Sequence, residues 1–209
     1  MPITTDKDQR RFFREQGYIE FEELISDEQL NHVNDEIKKL TQSLGRNSDR
    51  LFRQGHDLFR QSDYLKKICT SKLFAALFAE LIGEKSIRLG FDQFIPKNYS
   101  TKSLQSLEES CCLRGILGGL IICLNSADAS DPSVFPSHAG NGIFFRAQHP
   151  IDYQILQQRP QQQFYLIGYT SQKTQYSLQE NDPHTHDLKK LGYIFGDSLQ
   201  NEHHPLIIR

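Results

Sequence analysis

Ser86-Ile-Arg-Leu-Gly-Phe-Asp-Gln-Phe-Ile-Pro-Lys97 is the stretch on which the fold turns. Ile87, Leu89 and Phe91 alternate with polar or small residues, and Phe94-Ile95 then runs into Pro96. Alternation of this kind is a strand signal, and a proline, which has no N–H, ends the ladder. Further short apolar runs follow at Leu113 to Leu124, Ile143 to Phe145, Tyr153 to Leu156, Phe164 to Tyr169 and Tyr193 to Phe195. Turn chemistry separates them: Asp131-Pro132, Pro136-Ser137, Gly140-Asn-Gly142 and Arg159-Pro160.

Upstream the apolar period is helical. Asp8 to Gln16 reads as a helix stopped by Gly17, and Tyr18 to Phe21 is a short alternating stretch. Ser26, with Gln29 three residues on, forms a capping box before Leu30, Val33, Ile37, Leu40 and Leu44, and Gly45 ends that face. Leu73, Phe74, Leu77, Phe78, Leu81 and Ile82 make a second stripe over Lys72 to Ile82, bracketed by Ser71 and Gly83. Both stripes read as core. Helices followed by many short strands predict an α+β protein with an N-terminal helical layer, residues 1–85, and a sandwich or barrel, residues 86–209, in a single domain. One late helix is expected from Asp182 as N-cap and Pro183 at the first position to Gly192, with Leu188 and Leu191 on its apolar side.

A chain of 209 residues can bury a substantial core. Its net charge of −2 lacks the basic excess that phosphate contacts require, which argues against nucleic acid as a partner. The opening residues show no apolar core behind a basic start, and Gly115 to Leu124 is too short to span a bilayer. A cytoplasmic protein without a membrane segment is expected. Cys69, Cys111, Cys112 and Cys123 contain no CxxC pair and read as buried free thiols in a reducing compartment.

The eight histidines carry most of the functional question. His184 and His186 share no face if their segment is helical, and could ligate a metal together only from an extended one. His203 and His204 diverge as neighbours, His32 lies off its helix's apolar stripe, and His56 follows Gly55 in a loop with no role assigned. His149 stands where the strand after Gly140-Asn-Gly142 would end, and Arg159 precedes the next strand. A histidine at a barrel mouth can ligate metal, and an arginine beside it can hold a carboxylate through two parallel hydrogen bonds.

Phe12-Phe-Arg-Glu-Gln-Gly-Tyr-Ile-Glu-Phe21, then Leu24-Ile-Ser-Asp-Glu-Gln-Leu30 and a long helix, resembles the opening of the phytanoyl-CoA dioxygenase family. Phe91 to Lys97 resembles that family's first core strand, which ends in a lysine. Gly140 to His149 resembles its Gly-Asp segment leading to the distal iron histidine, with Asn141 in place of the aspartate. The resemblance implies a double-stranded β-helix (a cupin-like jelly roll), with Fe(II) and 2-oxoglutarate as possible cofactors. It implies His149 as a metal ligand, and Arg159 and Lys97 as partners of a small carboxylate ligand. The family's first histidine and carboxylate, a His-x-Asp or His-x-Glu, should follow the lysine strand. Here Asn98 to Ser110 contains no histidine, and Glu108 and Glu109 are its only carboxylates, read as surface charge. A facial triad of two histidines and one carboxylate is therefore incomplete.

The expectation is a divergent superfamily member that binds a small ligand and is not an ordinary dioxygenase. An active oxygenase with an unusual ligand set is one alternative. A metal-responsive DNA-binding regulator, suggested by the histidines from His184 to His204, is another.

Overall fold

Side-chain caps place the helix ends close to where the sequence puts them. The computed structural model describes residues 4–42, 55–96, 106–126, 135–151 and 161–209. Helix α1 (Lys7–Gln16) opens on a capping box in which Asp6 accepts from the Gln9 amide at 2.7 Å, and it closes on Gly17 at φ 82°. Strand β1 (Tyr18–Phe21) follows at once. Helix α2 (Asp27–Thr41) has the expected Ser26–Gln29 box, with both reciprocal bonds present. Leu44 and Gly45 lie outside the described residues. Helices α3 (Asp63–Cys69) and α4 (Lys72–Ile82) start at Ser62 and Ser71, each of which caps an amide three residues on.

The strands are β2 (Ile87–Ile95), β3 (Leu113–Cys123), β4 (Gly142–Arg146), β5 (Phe164–Tyr176) and β6 (Leu206–Ile208), and a short helix α5 (Leu107–Ser110) precedes β3. With β1 they form one antiparallel sheet in the order β1-β4-β3-β5-β2-β6. Both faces are covered. The helices pack Phe13, Val33, Leu65, Leu77 and Phe78 against Leu120, Ile122, Phe144, Tyr165 and Tyr169 on one face. The other face carries Phe91, Ile121, Cys123, Phe145, Phe164 and Leu166, under Leu107, Phe135, Ile151 and Tyr193. Burial on two sides explains why Leu120 to Cys123 is apolar without alternation. All four cysteines are buried and free, as expected.

The structure corrects three local expectations. β5 continues to Tyr176 because its polar second half still pairs with β3, Leu113 opposite Tyr176. Tyr193 to Phe195 is a turn, not a strand: Ile194 N donates to Asp197 Oδ2 at 2.8 Å, Gly196 N donates to Tyr176 O at 2.7 Å, and Ile194 is 69% exposed. The late helix is reduced to turns and a 3-10 segment, Asp187–Leu191. The Thr185 carbonyl that an α-helix would use accepts instead from the Tyr176 hydroxyl at 2.5 Å, and both Asp182 oxygens are taken by the amides of Cys112 and His184. The run from Tyr153 to Leu156 lies outside the described residues. No described helix is long and apolar enough to cross a membrane.

Candidate functional site

A register shift in β2 between Leu89 and Phe91 sets the chemistry of this edge of the sheet. Strict alternation would keep Ile87, Leu89 and Phe91 on one face. The bulge leaves Ile87 and Leu89 toward the helices and turns Phe91 to the opposite core. Asp92 then points into the helical side, wholly buried, where Oδ1 accepts from Phe59 N at 3.1 Å and Oδ2 from the Tyr165 hydroxyl at 2.5 Å. Cys69 Sγ lies 3.3 Å from the same hydroxyl. Burial first, and then the nearby Asp57, raise the Asp92 carboxyl to about 7.

The segment at residues 55–57 lies along the outer edge of β2: Phe94 N donates to Gly55 O at 2.7 Å, and Asp57 N to Asp92 O at 2.9 Å. This seats the His56 ring over Phe91, centroids 5.3 Å apart, and face to face with His184, 3.9 Å apart and 5° from parallel. His184 arrives on the turn that Asp182 organises, and its Nδ1 bonds Asp187 Oδ2 at 2.9 Å. His204 arrives from the chain entering β6, its Nδ1 2.8 Å from Gly90 O. Arg88 donates to His204 O at 2.5 Å; Arg60 donates to His203 O at 2.6 Å and to Asp57 Oδ2 at 2.7 Å. A cavity of about 20 Å³ opens among His56, Asp57, Cys112, Asp182, His184 and His204. Burial, and next the adjacent His56, lower the His184 pKa. Burial, followed by the Arg60 charge, pushes His204 down to about 4. Both imidazoles are neutral at pH 7.

Of the histidines weighed in the sequence, His184 and His204 line this cavity and His149 does not. His149 sits in the turn after β4, at the β1 end of the sheet order, whereas the cavity flanks β2 near β6. Its half-buried ring packs 5.1 Å from the Tyr18 ring, and burial lowers its pKa. Lys97 and Arg159 lie outside the described residues. Glu108 and Glu109 are exposed, as read from the sequence, and Ser106 caps their short helix. His186 is exposed, while His138 meets Ser137 Oγ at 2.9 Å. Among the described residues no three His, Cys, Asp or Glu side chains are placed to hold a metal ion. The donors described therefore do not fit Fe(II).

Sequence reasoning passed over His56, Asp92 and His204. An aspartate inside the apolar strand Phe91 to Ile95 was a usable signal, since a carboxylate there must be buried and bonded. His56 and His204 carry no local pattern; the sheet edge brings them together across most of the chain's length.

No protein-family model and no curated protein sequence matches the chain. Its fold is shared with solved non-heme iron, 2-oxoglutarate-dependent enzymes. Among these, the alpha ketoglutarate dependent carbocyclase SnoK from nogalamycin biosynthesis is 14% identical, with a TM-score of 0.75 over 99% of both chains. The epimerase SnoN, solved with Fe3+, alpha ketoglutarate and nogalamycin RO, is 14% identical, with a TM-score of 0.73 over 96% of this chain and 98% of its own. CT296 from Chlamydia trachomatis is 17% identical, with a TM-score of 0.54 over 82% of this chain and 98% of its own. At such identities the likeness establishes the fold alone.

Proposed function

We propose that the chain is a divergent member of the non-heme Fe(II)/2-oxoglutarate oxygenase superfamily, a single-domain jelly roll that has kept a ligand pocket and lost part of its iron site. It binds a small carboxylate and does not carry out the ordinary dioxygenase reaction. Supporting this is a fold likeness to SnoK that runs the length of both chains, joined to a stretch from Asn98 to Ser110 with no histidine for the first iron position. Iron affinity depends on several ligands preorganised together, and a lone His149 supplies one. Arg159 offers the planar fork that suits a carboxylate, and Lys97 a point charge beside it.

Calorimetric titration with 2-oxoglutarate, with and without Fe(II) under anaerobic conditions, tests this. Saturable binding that needs no Fe(II), weakened about tenfold or more by Arg159→Ala, is expected. Binding that appears only with Fe(II) would establish the alternative, an active oxygenase with an unusual ligand set.

A further inference from the structure

Three imidazoles, His56, His184 and His204, flank the cavity beside β2, each with its Nδ1 in a hydrogen bond. Gly90 O can only accept, so His204 carries its hydrogen on Nδ1, 2.8 Å away, and keeps a lone pair on Nε2. His56 Nδ1 lies 3.1 Å from Gln93 Oε1, and that amide is oriented by Nε2 donating to Phe94 O at 2.8 Å. His184 Nδ1 faces the Asp187 carboxylate at 2.9 Å. His184 and His204, each facing a group that can only accept, therefore donate from Nδ1.

His204 is 1% exposed and its Nε2 has no hydrogen-bond partner among the described residues. Asp57 Oδ1, in the same wall, has no hydrogen-bond partner among the described residues; His56 Nε2 stands 3.7 Å from it, and its Oδ2 is held by Arg60. With Asp182 and Asp187 the lining contains three carboxylates and no lysine or arginine. These two buried acceptors call for a donor; the buried Arg60 Nη2 and Arg88 Nε also lack partners among the described residues, and both guanidiniums are held by backbone carbonyls, Arg60 by His203 O and Arg88 by His204 O.

We propose that this cavity takes the ammonium head group of a small primary amine, which donates to His204 Nε2 and Asp57 Oδ1. An ammonium has three N–H donors, no acceptor, and a charge opposite to the carboxylates around it. A cavity of about 20 Å³ admits such a head group and leaves the rest of the ligand outside. A metal ion fits less well, because among the described residues no three His, Cys, Asp or Glu side chains are placed to hold one. Burial keeps His204 neutral at pH 7, so it remains an acceptor. The site flanks β2, apart from His149, and does not depend on the carboxylate proposed above.

Histidine ring carbon–proton NMR spectra of the full chain at pH 7 provide the test, titrated with methylammonium chloride. Tetramethylammonium chloride at equal ionic strength serves as the arm without N–H donors. Ammonium chloride separates the free ion from an alkylamine, and binding of ammonium without methylammonium would overturn the proposal. A saturable shift of the His204 ring signal with methylammonium, absent with tetramethylammonium, is expected. Asp57→Asn, confirmed as folded by its own spectrum, should weaken binding about tenfold or more. No saturable shift, an equal response to tetramethylammonium, or unchanged binding by Asp57→Asn would overturn the proposal. So would displacement of methylammonium by stoichiometric zinc chloride.

Discussion

Replacing Asp92 with asparagine isolates a fully buried carboxyl of the helical core. In the folded chain its pKa lies at about 7, against 3.8 for the free group, because burial and Asp57 disfavour the charge. Between these values the folded state holds a proton that the unfolded state has released, so stability falls as pH rises. At about 1.4 kcal/mol per pH unit of offset, linkage over pH 5 to 8 makes the wild type lose about 2 to 3 kcal/mol through this group. Asparagine cannot ionise; its oxygen can still accept from Phe59 N, and its amide can donate to the Tyr165 hydroxyl, which then turns toward Cys69. Urea unfolding of both proteins at pH 5 and pH 8 gives the difference directly. His204 acts in the opposite sense: with its folded pKa lowered to about 4, the chain loses stability as pH falls from 6.5 through 4. That contribution is common to both proteins and cancels. The stability of Asp92→Asn relative to wild type should therefore rise by about 2 to 3 kcal/mol from pH 5 to pH 8. A difference that stays flat across this range would refute the reasoning, since it would mean that Asp92 ionises as a solvated carboxylate does.

Two further substitutions probe the frame. Gly17→Ala places a Cβ 2.8 Å from His149 Nδ1 at φ 82°, and should cost about 1 to 2 kcal/mol in urea unfolding while moving the His149 ring resonance. Ser26→Ala removes the acceptor of the α2 capping box and should cost about 1 kcal/mol, read by the same unfolding assay, with the histidine cluster's signals unchanged.

The local signals in the sequence were those whose cause is local. Ser26 with Gln29, Ser71 with Gly83, and the Leu73 to Ile82 stripe are decided by neighbours three and four residues apart, and the structure has them. The apolar run Leu113 to Leu124 was legible for a related reason, because its stretch from Leu120 to Cys123 is buried on both faces and needs no alternation. Tyr193 to Phe195 misled because its pattern suits a strand while Asp197 turns the chain back. The bulge at Leu89 to Phe91, which sends Asp92 into the core, leaves no mark on the alternation of apolar residues. The histidine cavity was illegible for a tertiary reason. Its walls come from residues 56–57, 90–91, 111–113, 182–188 and 204, and no spacing rule joins such distant segments.

The proposal that this chain, though its fold is that of non-heme iron enzymes, does not assemble a working iron site is tested most directly by anaerobic absorption titration with Fe(II) and 2-oxoglutarate. The expected result is no metal-to-ligand charge-transfer band and, once oxygen is admitted, no consumption of 2-oxoglutarate. A band that saturates at one iron per chain, followed by succinate formation, would contradict it.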